Sequence, residues 1–578
     1  MERTWSMMDA MEDAGHTTRR VPDATVVGPA SGARCLHRVA RERDASPGWW
    51  RSAPLDEGVR LRAMAAADRR AGLRERALRN AGPDARVVDV VGDHWTDLPG
   101  DVPGDDDETT TLDALAGGAT LVWGAALPAD EVSGRQGLRC TLAAVPGGGY
   151  VPVLVVNHKV VDPRRRAGAS EALVSRLLDW APAPDPSLRV RRHPGDLDRL
   201  AHAWRLLEAV GHAAPDPAGA VLGLGSARAV VHDLRSVLEA ADRTHATRLA
   251  VVRGELDTVP SRIGECRTCP WWEGWNDRGT PVTGCRDQLV VADDVSLVVG
   301  GGQVGPLRAQ GIRTGADLAD LADLADLAGS GPRRPPDWNG EPFSDAVLRA
   351  RALRDGAVVV PKVARPAIPR ADIEVDVDLE SHLDDGAYLW GTLLTLRDGK
   401  PLEAEGYRSF ATWARLPDPD EGRSFAEFWR WLTAIRDRAA GQGRSFRASC
   451  YSRAAENGWM LSTATRFGPE GTVAVVKGVP TVGEIRSFIS SPLWVDVHEA
   501  VTGQFVSTSG LGLKVVAPVA GFSWRDPEAG GEASLGWYRD AQAARGVERD
   551  EGRTRILRYN EDDVRATRAV RGWISGHH

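Results

Sequence analysis

The chain has 578 residues, which suggests roughly two to four domains. Its 42% hydrophobic and 26% charged residues exclude a disordered or fibrous protein. A net charge of −8 excludes a chain that is polybasic throughout, while leaving room for a local basic surface.

The first residues, MERTWSMMDAMEDAGHTTRR, lack the apolar core of a secretory signal, which points to a cytoplasmic location. Residues 1–23 read as a disordered leader. No apolar run of about 18 residues follows, so no membrane partner is expected. An α/β unit is expected over 24–292. RRAGLRERALRNAG (69–82) reads as an Arg-rich helix. ATLVWGAAL (119–127), LRCTLAAV (138–145) and YVPVLVVNHKV (150–160) read as strands, the last two joined by a turn at Pro146–Gly149. DLDRLAHAWRLLEAVG (196–211) has helical periodicity and stops at Gly211.

Six cysteines in such a chain do not suggest a disulfide framework. Cys266 and Cys269 form a C-x-x-C, Cys285 follows, and Cys35 stands far upstream. Four thiolates suit either zinc or an iron–sulfur cluster. Cys140 and Cys450 read as packed thiols.

LVVGGGQVGPLRAQGIRTGADLA (297–319) lies within a small helical module expected over 293–328. Gly300, Gly301 and Gly302 are its Gly-rich turn, and Thr314 is the candidate N-cap of the next helix. The segment resembles a helix-hairpin-helix, whose turn amides contact nucleic-acid phosphates without reading sequence. The DLA run beyond it reads as a solvated helix face. GSGPRRPPDWNG (329–340) is linker-like in composition, and a linker is expected over 329–371.

The last unit, 372–578, opens with the alternating strand IEVDVDLE. Asp378 and Glu380 are two apart, so they leave one face of the strand. Two carboxylates there repel each other, and a divalent cation would relieve that. Tyr559 and Asp563 lie four apart in the helix RYNEDDVRATRAVRGWI and share a face. Glu561 and Asp562 are then left to solvent. Acids on a strand and a late helix make the pattern that holds two metal ions on a scissile phosphate.

VDVDLESHLDDGAYLWG, CYSRAAENGWM, LWVDVHEAV and YNEDDVRATRAVRGWI, in that order, resemble the YprB-type ribonuclease-H-like exonuclease domain of the DEDD superfamily. The resemblance implies a central mixed sheet, with Asp378, Glu380 and Asp563 as Mg²⁺ or Mn²⁺ ligands. Tyr559 would orient or help deprotonate the attacking water. For the remaining acid the sequence offers Glu456 and Asp496.

Residues 24–292 resemble the RecB-like PD-(D/E)XK module, of restriction-endonuclease type, in the same RecB-like nuclease family. There Gly137 stands where the first acid belongs, and Asn157-His158-Lys159 replaces acid-x-Lys; Glu75 could match the helical acid. The implied module is degenerate, binding DNA through groups such as Lys159 without cutting it. The resemblance also implies a [4Fe–4S] staple on Cys35, Cys266, Cys269 and Cys285, with Zn²⁺ as the alternative. The whole reads as a metal-dependent nuclease of DNA or RNA, a 3′–5′ exonuclease of repair or processing, for which a helicase or repair partner is conceivable. The competing readings are a non-catalytic nucleic-acid scaffold and a zinc-stapled structural protein.

Overall fold

The computed structural model describes residues 26–29, 35–43, 57–91, 104–164, 171–224, 228–269, 271–274, 283–328, 332–383, 385–526, 531–543 and 545–576. The leader expected at 1–23 lies outside them. The chain divides into two compact units, Met1–Leu289 and Val290–His578, a few residues before the expected boundary.

The first unit contains α1 (Leu36–Arg43), α2 (Glu57–Asn80), β1 (Val87–Asp89), α3 (Asp105–Ala116), β2 (Leu121–Leu127), β3 (Leu138–Ala144) and β4 (Tyr150–Lys159). Short strands β5 (Val161–Pro163), β6 (Ala172–Ser175), β7 (Ala183–Asp185) and β8 (Leu188–Val190) follow. After them come α4 (Pro194–Ala209), β9 (Ala218–Leu224), β10 (Ala229–Asp233) and α5 (Arg235–Val252), with α6 (Cys285–Val291) starting at its end. One sheet runs β1-β2-β3-β4-β9-β10-β6-β7. Strands β2, β3 and β4 form an antiparallel meander, and β9 adds parallel to β4 after the α4 crossover. The central β4 is apolar without alternation and buried over its first seven residues, as a strand covered on both faces must be. Gly147, Gly148 and Gly149 turn the chain between β3 and β4 with φ of 96°, 96° and 78°, a run that only glycine adopts readily.

The second unit begins with α7 (Gly301–Ala309), α8 (Gly315–Ala328), α9 (Phe343–Arg354) and β11 (Val359–Pro361). The stretch expected as a linker, 329–371, therefore holds a helix and a strand. Trp338 and Phe343 pack edge to face, 5.0 Å between centroids, in a core with Val295, Leu307, Leu318 and Val347. Strand β11 pairs with β17 (Phe505–Ser507). Two aromatic anchors outweigh the Pro- and Gly-rich composition around them.

The remainder is built on β12 (Ile373–His382), β13 (Gly386–Leu396), β14 (Gly406–Ala411), β15 (Phe446–Cys450) and β16 (Trp494–Asp496). Their spatial order is β14-β13-β12-β15-β16. The first three strands are antiparallel neighbours, and β15 and β16 add in parallel. Helices α10 (Pro419–Gly441), α11 (Arg453–Phe467), α12 (Val482–Ile489), α13 (Val497–Gln504), α14 (Leu513–Val519), α15 (Gly531–Ala543) and α16 (Val547–Ser575) surround the sheet. Alternation along β12 decides what each face does. Ile373, Val375 and Val377 enter a core with Trp390, Phe425 and Phe428. Glu374, Asp376, Asp378 and Glu380 leave the other face. There Arg571 of α16 makes a two-pronged ion pair with Asp376, 2.7 and 2.6 Å, and reaches Glu374 at 2.8 Å. This buried pairing fixes α16 against the lower half of β12 and leaves the upper half's acids for another partner.

Candidate metal centre

Asp378, Glu380 and Asp563 each offer a carboxylate oxygen to one point, all within 4.8 Å of one another. Strand period two supplies the first pair, and α16 supplies the third. Glu380 and Asp563 are buried, while Asp378 keeps some exposure. The Asp378 carboxyl itself is enclosed, so burial first, and then the charges of Asp563 and Glu380, raise its pKa well above the ordinary value. Burial and Asp563 likewise push Glu380 up to about 8. These groups resist full ionisation together unless a cation joins them.

The orientation of each acid is set by neighbours. Asn560 Nδ2 donates to Asp378 Oδ2 at 2.7 Å, and Tyr407 OH donates to Asn560 Oδ1 at 2.9 Å. That approach needs Gly391 on the adjacent strand, because a Cβ there would sit 1.6 Å from Asn560 Oδ1. Ser534 of α15 donates to Glu380 at 2.9 Å. Asp563 Oδ1 accepts from Lys514 Nζ at 2.9 Å and from Trp524 Nε1 at 2.6 Å. The Lys514 ammonium also lies 3.8 Å from the Trp524 ring centroid and 4.6 Å from that of Tyr559. Tyr559 is buried, and burial followed by the nearby carboxylates raises its pKa far above that of a free phenol.

The two candidates for a further acid separate. Asp496 caps α13, accepting from the Glu499 amide at 2.9 Å and the Arg453 amide at 3.2 Å. It stands outside the trio, and its charge acts on Glu456. Glu456 lies buried in the first turn of α11, its charge raises Asp378, and its Oε2 has no hydrogen-bond partner. Burial pushes it up to about 8. The solvent-facing placement of Glu561 and Asp562 is corrected. Asp562 is 2% exposed and holds the Arg525 amide at 3.0 Å and guanidinium at 2.7 Å. Glu561 pairs with Arg525 and Arg565.

In the first unit, Cys35, Cys269 and Cys285 have thiol pKa values raised by burial first, and then by one another and by Cys266. The charges of the four cysteines are thus felt by one another, despite the long separation of Cys35 in the sequence. Arg38 and Arg41 of α1, just beyond Cys35, act the opposite way on Cys269 and Cys285. Among the described residues, no three of these sulfurs lie within 4.8 Å of one another. Cys140 and Cys450 are buried in their cores.

Gly137 precedes β3, where a Cβ would meet the Leu127 carbonyl oxygen at 2.7 Å, so an acid there would require backbone movement. Lys159 ends β4 exposed. Glu75, the candidate helical acid, is exposed and paired with Arg79 at 3.1 Å. Gly300 is the N-cap of α7, while Gly301 and Gly302 are in its first turn rather than in a separate turn. Thr314 accepts from the Asp317 amide at 3.0 Å, capping α8.

Residues 485–575 match the RNase_H superfamily model. The match takes in Asp496, Tyr559 and Asp563 and leaves β12 outside it. With the strand order above, it supports a C-terminal RNase H-like domain and suggests nuclease-type, phosphodiester-hydrolysing activity on nucleic acid. RNase H-like nucleases typically use divalent metal ions, and among the described residues of this unit the acidic trio is a group that could hold one. No curated protein and no solved structure matches the chain. Among the described residues, no helix is long and apolar enough to cross a membrane.

Proposed function

We propose that the second unit is a DEDD-type nuclease that hydrolyses phosphodiester bonds from the 3′ end of DNA or RNA. The observation that carries this reading is the convergence of Asp378, Glu380 and Asp563 within 4.8 Å. Three converging carboxylates, of which Asp378 and Glu380 have raised proton affinity, fit Mg²⁺ or Mn²⁺, which favour oxygen ligands. When bound, the ions supply positive charge to the scissile phosphate and lower the pKa of water. The protein's own groups do the rest. Asn560 and Ser534 hold Asp378 and Glu380 in place. Glu456, whose charge acts on Asp378 and whose Oε2 has no hydrogen-bond partner, is the fourth acid. Tyr559 orients water, and Lys514 offers its ammonium to a phosphate oxygen.

The first unit serves this reading as a nucleic-acid platform. Its β2-β3-β4 meander, α4 crossover and parallel β9 support the PD-(D/E)XK-like reading, in which Gly137 and Asn157 stand where acids would be needed to cut. The four cysteines fit a [4Fe–4S] staple better than zinc. Tetrahedral zinc at about 2.3 Å from each sulfur needs sulfurs about 3.8 Å apart, whereas a cluster puts each thiolate on its own iron and so wider apart. The α7–α8 hairpin would bind phosphates through the amides of its first turn. One observation favours the scaffold reading: Lys514 already neutralises Asp563. The full chain incubated with Mg²⁺ or Mn²⁺ on single- and double-stranded DNA and RNA decides between the two. Hydrolysis of any of the four supports the enzyme, and binding without hydrolysis supports the scaffold.

A further inference from the structure

The first unit carries a second convergent group. His158 at the end of β4, His193 at the N-cap of α4 and Asp196 in its first turn offer ligand atoms within 4.8 Å of one another. The imidazole rings of His158 and His193 lie 4.0 Å apart between centroids. His158 Nε2 and Asp196 Oδ2 are 2.8 Å apart. His193 Nε2 is 3.0 Å from the Lys159 carbonyl oxygen. A carbonyl only accepts, so the neutral His193 ring carries its proton on Nε2 and leaves Nδ1 as the donor atom to a cation. A ring nitrogen fixed on a backbone carbonyl, with the other free, is the usual arrangement around a metal-ligating histidine.

We propose that His158, His193 and Asp196 form a binding site for a zinc-class divalent transition metal, distinct from the acidic trio and from the cysteines. Two imidazoles and one carboxylate suit Zn²⁺, Co²⁺ or Ni²⁺ and do not suit Mg²⁺, which takes oxygen ligands. Metal replaces the proton shared by His158 and Asp196, and that proton moves to His158 Nδ1 or to solvent. Three protein ligands leave a fourth position open, and the 37% exposure of the His158 side chain lets solvent reach it. An open position can take water or an anionic oxygen. The site lies at the strand end where Asn157 replaces a carboxylate, so the unit would present a cation there through different side chains.

The test is zinc binding by the full chain, stripped with EDTA and with the cysteine site in one defined state throughout. Equilibrium dialysis should find one Zn²⁺ fewer per chain in His193→Ala and Asp196→Asn than in the wild type. Affinity at this site should fall by at least the roughly 10- to 100-fold that loss of an outer partner alone causes. A tenfold excess of Mg²⁺ should not compete. With Co²⁺, the variants should lose weak visible bands while any thiolate-to-cobalt band from the cysteines remains. Asp196→Asn keeps a hydrogen bond to His158, so its metal-free melting should follow the wild type while the zinc-induced rise in Tm disappears. Equal zinc stoichiometry in the wild type and the folded variants would overturn the site and leave the trio an ordinary hydrogen-bonded cluster. Neither result depends on nuclease activity.

Discussion

Strands β4 and β12 occupy similar places in their own sheets and end in opposite chemistry. Each is a central strand with an antiparallel neighbour on one side and a parallel one on the other. β12 presents Asp378 and Glu380 towards Asp563, and burial and mutual repulsion raise the two strand acids. β4 ends in Asn157, His158 and Lys159, with neutral and basic groups and no strand carboxylate. A sheet can keep its topology while the charge at its strand end changes completely. The enclosed acids of β12 oppose stability without a cation, so their presence needs a functional cause, and the groups at the end of β4 carry no such penalty.

The largest expected effect is on β12. Asp378→Asn should lower metal-dependent hydrolysis by orders of magnitude while raising Tm in EDTA at pH 8, because it removes a buried carboxyl whose ionisation burial and the neighbouring acids oppose. Asn157→Ala at the end of β4 should leave hydrolysis unchanged. Paired melting and activity measurements would show whether the two strand ends differ as described; a parallel fall of Tm and activity in Asp378→Asn would contradict it.

Next in size is Tyr559→Phe, which should reduce the turnover rate roughly 10²-fold, as expected when a water-positioning group is lost. Its substrate affinity should change little. A loss confined to KM would instead make Tyr559 a binding residue.

The acids also set a pH dependence. Glu380 is raised from 4.5 to about 8, so the stability linked to its protonated form is full below 4.5 and is lost as pH rises through about 8. Melting in EDTA should therefore fall across that window more steeply than in Glu380→Gln. Deprotonated ligands bind metal, so the Tm increase from Mg²⁺ should grow over the same range. A flat difference between the two proteins would show that Glu380 is ionised throughout.

Smaller effects belong to neighbours of the site. Asp562→Asn should destabilise by about 1–3 kcal/mol, because it weakens a buried, charge-assisted contact to Arg525, while hydrolysis persists in the folded fraction. Glu75→Ala, on the exposed face of α2, should stay within about 0.5 kcal/mol of the wild type by denaturant titration.

The parts legible in the sequence are those that local periodicity fixes. Period two put Asp378 and Glu380 on one face, and helical spacing put Tyr559 beside Asp563. Periodicity failed where the partner comes from another element. Asp562 is turned about 100° from Asp563 on α16, which reads as solvent, yet Arg525 folds back to cover it. Lys514, Trp524 and Ser534 reach the acids from loops and helices with no spacing relation to β12. His158 read only as part of the run that replaces acid-x-Lys, because its partners, His193 and Asp196, lie beyond the β5–β8 insertion. The linker-like composition of 329–371 concealed Trp338 and Phe343, which make that stretch part of a core.

The central claim, that the trio is a hydrolytic metal centre, is tested most directly by comparing two adjacent residues. The rate of Mn²⁺-dependent nucleotide release from a 3′-labelled single strand should be measured for the wild type, Asp563→Asn and Asp562→Asn, each confirmed folded. The account predicts release by the wild type and by Asp562→Asn, none in EDTA, and loss by orders of magnitude in Asp563→Asn. Equal rates in the wild type and Asp563→Asn, or no release by the wild type on DNA or RNA, would contradict it.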